Sequence, residues 1–128
     1  MKTILITGAA GRMGRRLVAL TLEGEGLELV AAVEHSAHSL LGQDAGAVAG
    51  VGNADVTLTC DIAAAVSAAD VMIDFSSRDS AVANTELAVA NNCGIVLGTT
   101  GLTDPEKASI SALGSTGAVM AAPNMSVG

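Results

Sequence analysis

Three glycines spaced three apart, Gly8, Gly11 and Gly14, stand between a β-branched apolar run and a segment whose apolar residues recur at helical spacing. No other feature of the sequence restricts the fold as much. Thr3-Ile4-Leu5-Ile6-Thr7 reads as a strand buried on both faces of a parallel sheet. Met13, Leu17 and Leu20 then share a helix face, with Gly24 and Gly26 as its stop. A strand that turns on glycines into a helix lets backbone approach a pyrophosphate, and the helix start offers it free N–H groups and a positive dipole end. The spacing is G-x-x-G-x-x-G rather than the usual G-x-G-x-x-G, and a plain tight turn is the alternative. The position between strand and helix favours the phosphate loop.

The rest of the chain alternates in the same way. Leu27 to Val33, Val56 to Thr59, Val71 to Asp74, Gly94 to Leu97 and Gly117 to Ala121 read as strands two to six. Helices are expected over Asp61 to Ala69, over Arg78 to Asn92, and from the capping pair Asp104-Pro105 to about Leu113. This alternation predicts an α/β fold of the Rossmann type: a doubly wound, mostly parallel sheet with helices on both faces, forming one dinucleotide-binding domain over residues 1–128. Ser36 to Asp55, rich in Gly, Ala, Ser and Asp, reads as a long loop with a short helical piece around Leu40 and Leu41.

Composition narrows the ligand. Half of the 128 residues are hydrophobic, enough for one core, yet Phe75 is the single aromatic residue, which leaves nothing to stack bases in a nucleic-acid groove. A net charge of -7 likewise opposes a general phosphate-backbone binder. Arg12, Arg15 and Arg16 are the local exception, clustered after the glycines where an anion can be held. Cys60 and Cys93 are isolated and form neither a zinc pattern nor a redox pair. Ile4-Leu5-Ile6 is too short for a signal-peptide apolar region, and no stretch has membrane-spanning length. A cytoplasmic protein without nucleic-acid or membrane partners is expected.

Glu34 closes strand two, twenty positions after Gly14, where an acidic side chain accepts hydrogen bonds from the adenosine ribose hydroxyls. That favours NADH slightly over NADPH. His35 is a weaker partner for a 2′-phosphate than the always-charged fork of an Arg, and a solvated loop histidine is its other reading; Arg12 is a candidate helper, and His38 has no identifiable role. Gly98-Thr99-Thr100-Gly101, at the carboxyl end of strand five, is placed to meet the nicotinamide ribose. Asp74-Phe75-Ser76-Ser77 is similarly placed at strand four, where either serine equally serves as a helix cap. Catalytic and metal-ligating sets are not found, which suits a domain whose hydride chemistry belongs to the cofactor.

With these blocks in hand the chain resembles the 4-hydroxy-tetrahydrodipicolinate reductases, also called dihydrodipicolinate reductases. The resemblance rests on Gly8-Ala9-Ala10-Gly11-Arg12-Met13-Gly14, Ala32-Val33-Glu34, Leu41-Gly42-Gln43-Asp44-Ala45-Gly46, Ile73-Asp74-Phe75-Ser76, Gly98-Thr99-Thr100-Gly101 and Ala122-Pro123-Asn124-Met125-Ser126-Val127-Gly128. It implies that Gly8, Ala9, Ala10, Gly11, Arg12 and Met13 wrap the pyrophosphate and that Glu34 and His35 meet the adenosine ribose. Gly98, Thr99 and Thr100, with Ala122, Pro123, Asn124 and Met125, are implied to flank the nicotinamide. It further implies a cyclic dicarboxylate substrate in lysine and diaminopimelate biosynthesis, use of NADH or NADPH, and a homotetramer for the full-length protein, while a monomer stays open for this stretch.

Two positions depart from the family pattern: His35 stands where Arg is frequent, which puts NADPH binding in question, and Met125 stands where Phe is usual. The family's substrate domain, with the paired His and the Lys that serve proton transfer, is expected to begin after Gly128, with 122–128 as the start of the hinge. By this reading the stretch does not turn over substrate alone. The alternatives are a stand-alone dinucleotide-binding module without catalysis, and a semialdehyde dehydrogenase, whose nucleophilic Cys neither Cys60 nor Cys93 convincingly supplies.

Overall fold

The structure is a computed structural model that describes residues 2–24, 26–75, 78–98, 104, 108 and 119–121. In chain order the elements are β1 (Lys2–Thr7), α1 (Arg12–Glu23), β2 (Leu27–Val33), α2 (Ala45–Ala49), β3 (Leu58–Thr59), α3 (Ile62–Val66), β4 (Val71–Asp74), α4 (Arg78–Ala90), β5 (Gly94–Leu97) and β6 (Val119–Ala121). The strands form one six-stranded sheet in the order β3-β2-β1-β4-β5-β6. Each neighbouring pair is parallel. The chain steps outward from β1 to β3, returns, and lays β4 against the other side of β1. The order reverses there, which opens a crevice at the carboxyl ends of these strands.

Side-chain alternation explains the two layers. Leu5 of β1 points to one face, with Val33, Met72, Ile95 and Leu97, and buries Val66 of α3 and Ala88 of α4. Ile4 and Ile6 point to the other, with Leu29 and Ala32, and bury Val18 of α1 and Ala45 of α2. Both faces of the central strands are therefore apolar, as a sheet covered on two sides requires. The alternation breaks once, where Ile4 pairs Leu29 and Leu5 already pairs Ala31. Val30 is the bulged residue, and it and Ala31 both join the first cluster.

The segment expected as a long loop is ordered, and its helical piece lies elsewhere than around Leu40 and Leu41, which form turns. The helix is α2, because the Asp44 carboxylate accepts from the N–H groups of Ala47 at 3.0 Å, Ala54 at 2.8 Å and Val56 at 3.0 Å. One side chain thus caps the helix and ties it to the returning strand, where Asp44 bridges Thr57 in antiparallel sense. β3 is shorter than expected, as are α3 and α4 at their carboxyl ends. The expected helix from Asp104 to Leu113 lies mostly outside the described residues, although Asp104 and Ala108 are both helical. Among the described residues no helix is long and apolar enough to cross a membrane.

Candidate dinucleotide site

β1 ends in Thr7 and the chain turns at Gly8, whose φ of +66° lies in the left-handed region. The turn closes with the Gly11 N–H donating to the Gly8 carbonyl at 3.0 Å. α1 then passes so close over the turn that a Cβ at Gly14 would stand 2.1 Å from the Gly8 oxygen and 2.7 Å from the Ala9 Cα. Two of the three glycines are thus explained by backbone geometry. Gly11, the residue before α1, provides no side-chain cap, and the first turn holds no acidic residue. The N–H groups of Arg12, Met13 and Gly14 are therefore without an intrahelical acceptor, the arrangement that receives an anion.

Glu34 stands one residue past β2, beside this turn, and is half-buried. Its carboxylate accepts from the Ala10 N–H at 2.9 Å and from the His35 N–H at 3.3 Å. The carbonyl of Ala10 in turn accepts from Arg15 Nε at 2.7 Å. Ala10 is thereby held at both of its polar groups, by an acid from the end of β2 and a base from α1. Arg15, expected among the residues that can hold an anion, also binds the loop through its Nε; Arg12, Arg15 and Arg16 are all exposed.

A cleft of about 320 Å³ opens at this edge, lined by Thr7, Gly8, Val33, Glu34, His35 and Ser36 on one side and Cys60, Ile62, Ser80 and Asn84 on the other. Below it, the buried Asp74 carboxylate accepts from the Thr7 hydroxyl and, at 3.3 Å, from Asn84 Nδ2, so that β1, β4 and α4 share one polar joint. Neither Thr7 nor Asn84 was evident in the sequence: one reads as a strand residue and the other as a helix residue among many. Only their convergence on Asp74, whose place at a strand end was evident, could have marked them.

The structure brings Gly8, Ala9, Ala10, Gly11, Glu34 and His35 to one edge. Gly98 lies further along it, its N–H donating to the Asp74 carbonyl at 2.9 Å and its backbone against the ring of Phe75. Thr99, Thr100, Ala122, Pro123, Asn124 and Met125 lie outside the described residues, as do Ser76 and Ser77. His38, without a role in the sequence reading, packs edge-on to His35 with ring centroids 5.1 Å apart. One ligating atom from each of Glu34, His35 and His38 falls within 4.8 Å of the others. Away from the cleft, Cys93 is buried, and burial, then the charge of Asp70, pushes its thiol pKa up.

Comparison with known proteins agrees with this architecture. A family profile described as Dihydrodipicolinate reductase, N-terminus, matches residues 2–125. The 4-hydroxy-tetrahydrodipicolinate reductase of Anaeromyxobacter sp. (strain Fw109-5) is 44% identical over 128 residues, which are all of this chain and 47% of that protein. That of Syntrophotalea carbinolica is 42% identical over the same length, 48% of its own. The solved structure of dipicolinate-bound dihydrodipicolinate reductase from Paenisporosarcina sp. TG-14 superposes with a TM-score of 0.78 at 25% identity, covering 99% of this chain and 49% of that one. The chain thus spans about half the length of the relatives it matches.

Proposed function

Since this chain belongs to the dihydrodipicolinate reductase family, as its amino-terminal portion, we propose that it binds the nicotinamide dinucleotide, NADH or NADPH, for a reductase acting on a cyclic dicarboxylate. The reaction proposed for the full-length protein is reduction of 4-hydroxy-tetrahydrodipicolinate to tetrahydrodipicolinate: hydride and a proton enter, and the hydroxyl leaves as water. When bound, the dinucleotide supplies the hydride. The chain's own residues bind and orient. The open N–H groups at the start of α1 and the backbone of Gly8 to Met13 receive the pyrophosphate, and Glu34 accepts from the adenosine ribose hydroxyls. Gly98, Thr99 and Thr100, with Ala122 to Met125, flank the nicotinamide, and residues 122–128 begin the hinge to a substrate domain that brings the proton-transferring groups. A homotetramer is proposed for the full-length protein.

The observation that carries this reading is the Glu34 carboxylate hydrogen-bonded to Ala10 N–H, beside a helix start with no side-chain cap. A carboxylate has about four acceptor positions, so two protein N–H groups leave room for ribose hydroxyls. A 2′-hydroxyl can donate to Glu34 and a 2′-phosphate cannot, which favours NADH modestly. Glu34→Ala is expected to weaken NADH by about 1.5–3 kcal/mol, the worth of a hydrogen bond to a charged group, and NADPH by less. Titration followed by cofactor fluorescence measures both, with little background from a chain lacking Trp and Tyr. The loss common to both cofactors reads the hold on Ala10, and the difference reads the ribose. Equal losses would remove Glu34 from the ribose site.

A further inference from the structure

The chain's two histidines fall in the loop after β2, close behind Glu34. The His38 N–H donates to the His35 carbonyl at 3.0 Å, and this turn brings the two rings to 5.1 Å between centroids. One ligating atom of each ring and one Glu34 carboxylate oxygen then lie within 4.8 Å of one another. Among the described residues no other three His, Cys, Asp or Glu side chains come together so closely. The Glu34 oxygens accept one N–H each, from Ala10 and His35, and a carboxylate oxygen has a second lone pair for a cation. Ligand atoms around a tetrahedral Zn²⁺ stand about 3.3–3.5 Å apart, given bonds of about 2.0–2.2 Å, so the three groups need to close by at most about 1.5 Å. His35 is exposed, and its ring can turn to do so.

Two imidazoles and a carboxylate are the donor set of a borderline transition-metal dication rather than of Mg²⁺ or Ca²⁺, which take oxygen ligands. Three protein ligands are enough for Zn²⁺, with water in the fourth position. One bond must be exchanged. The Leu40 N–H donates to His38 Nδ1 at 3.1 Å, so the neutral ring holds its proton on Nε2 and its lone pair faces Leu40. Whichever nitrogen takes the ion, that hydrogen bond is given up: directly at Nδ1, or through the change of tautomer that frees Nε2. Losing one such bond lowers affinity only about two- to tenfold, and the net charge of -7 draws cations to the surface. We infer that Glu34, His35 and His38 form a binding site for a divalent transition metal of the zinc class, and that the ion and the dinucleotide exclude one another because both need the Glu34 carboxylate. The exclusion rests on the dinucleotide reading above; the cation site does not.

Zn²⁺ is titrated into the chain by calorimetry, and its effect is followed residue by residue in ¹H–¹⁵N spectra. One ion per chain, bound at micromolar concentration and not displaced by millimolar Mg²⁺, is expected, with the Leu40 amide losing its hydrogen-bonded shift as the ion saturates. His35→Ala and His38→Ala are each expected to weaken Zn²⁺ at least about tenfold. His35→Ala leaves the bond to Leu40 in place, so it separates the loss of a ligand from a disturbed loop. The NADH dissociation constant of the wild type is expected to rise with free Zn²⁺, and that dependence to disappear in both variants. No saturable binding, wild-type affinity in either variant, or an unmoved Leu40 amide would overturn the cation site. So would a Co²⁺ complex with the intense near-ultraviolet charge-transfer band of a thiolate ligand, which would place the ion on a cysteine. Zn²⁺ bound at these residues with an unchanged NADH constant would overturn the exclusion. Failure of the metal-free wild type to bind NADH would overturn the dinucleotide reading and the exclusion with it, while the Zn²⁺ titration still decides the cation site.

Discussion

Ala10 has no side-chain chemistry, yet Glu34 holds its N–H and Arg15 its carbonyl, so two charged residues far apart in sequence fix the geometry of one peptide segment. The glycines make that geometry possible. At Gly14 an added methyl would meet backbone, the Gly8 oxygen at 2.1 Å, and backbone at a turn cannot step aside as a flexible side chain can. Gly14→Ala would gain roughly 1 kcal/mol of helix propensity but lose more to the overlap, since overpacking typically costs about 1–3 kcal/mol and here the obstacle is rigid. A net loss on the order of 1 kcal/mol is expected as a lower midpoint in urea unfolding; an unchanged or higher midpoint would contradict the close approach. At this scale the sequence disclosed Gly8 and Gly14, because each is the residue type its backbone demands, while the ribose role read for Glu34 stands as a proposal. For Arg15 the charge was visible in the sequence but its partner, the Ala10 carbonyl, was not.

Among the elements, the strands whose burial is two-sided were readable from apolar runs: β2, β4 and β5 have the expected bounds. The stretch between β2 and β3 was not, because it is organised by one carboxylate rather than by periodicity. Leu40 and Leu41 suggested a helix, but both lie in turns, Leu40 packing from there against the core, and α2 forms where Asp44 supplies the cap. The N–H of Ala54, then those of Ala47, Val56 and Gly46, hold the Asp44 pKa below its ordinary 3.8 against a smaller opposing effect of burial. Asp70 is lowered as well, by the N–H and hydroxyl of Thr3 and the nearby Lys2 and amino-terminal charges. Between the folded and unfolded pKa values the unfolded chain binds more protons, so this stabilisation is complete above the unfolded value and is lost as pH falls through the folded ones. Urea midpoints should therefore decline below about pH 4, and Asp44→Asn should decline less over that window while being less stable at neutral pH. A variant with the wild-type acid profile would show that Asp44 does not carry the capping role.

For the molecule as a whole, alternation of strand and helix was enough to predict a doubly wound sheet, since parallel neighbours need crossovers and crossovers cover both faces. The strand order, and with it the place where β1 and β4 part, depends on contacts remote in sequence. So does the cleft wall opposite the glycines, where Cys60 follows β3, Ile62 starts α3, and Ser80 and Asn84 belong to α4; none of these carries a local signal. On the proposed function a dinucleotide lies across the carboxyl edge of β2, β1 and β4. The most direct measurement is a ¹H–¹⁵N correlation titration of the chain with NADH. Saturable shifts centred on Gly8 to Gly14 and Glu34 to Ser36, extending to Gly98, are the predicted result. Shifts concentrated at the opposite edge, near Gly26 and Asp70, or no saturable shifts from a folded chain, would contradict it.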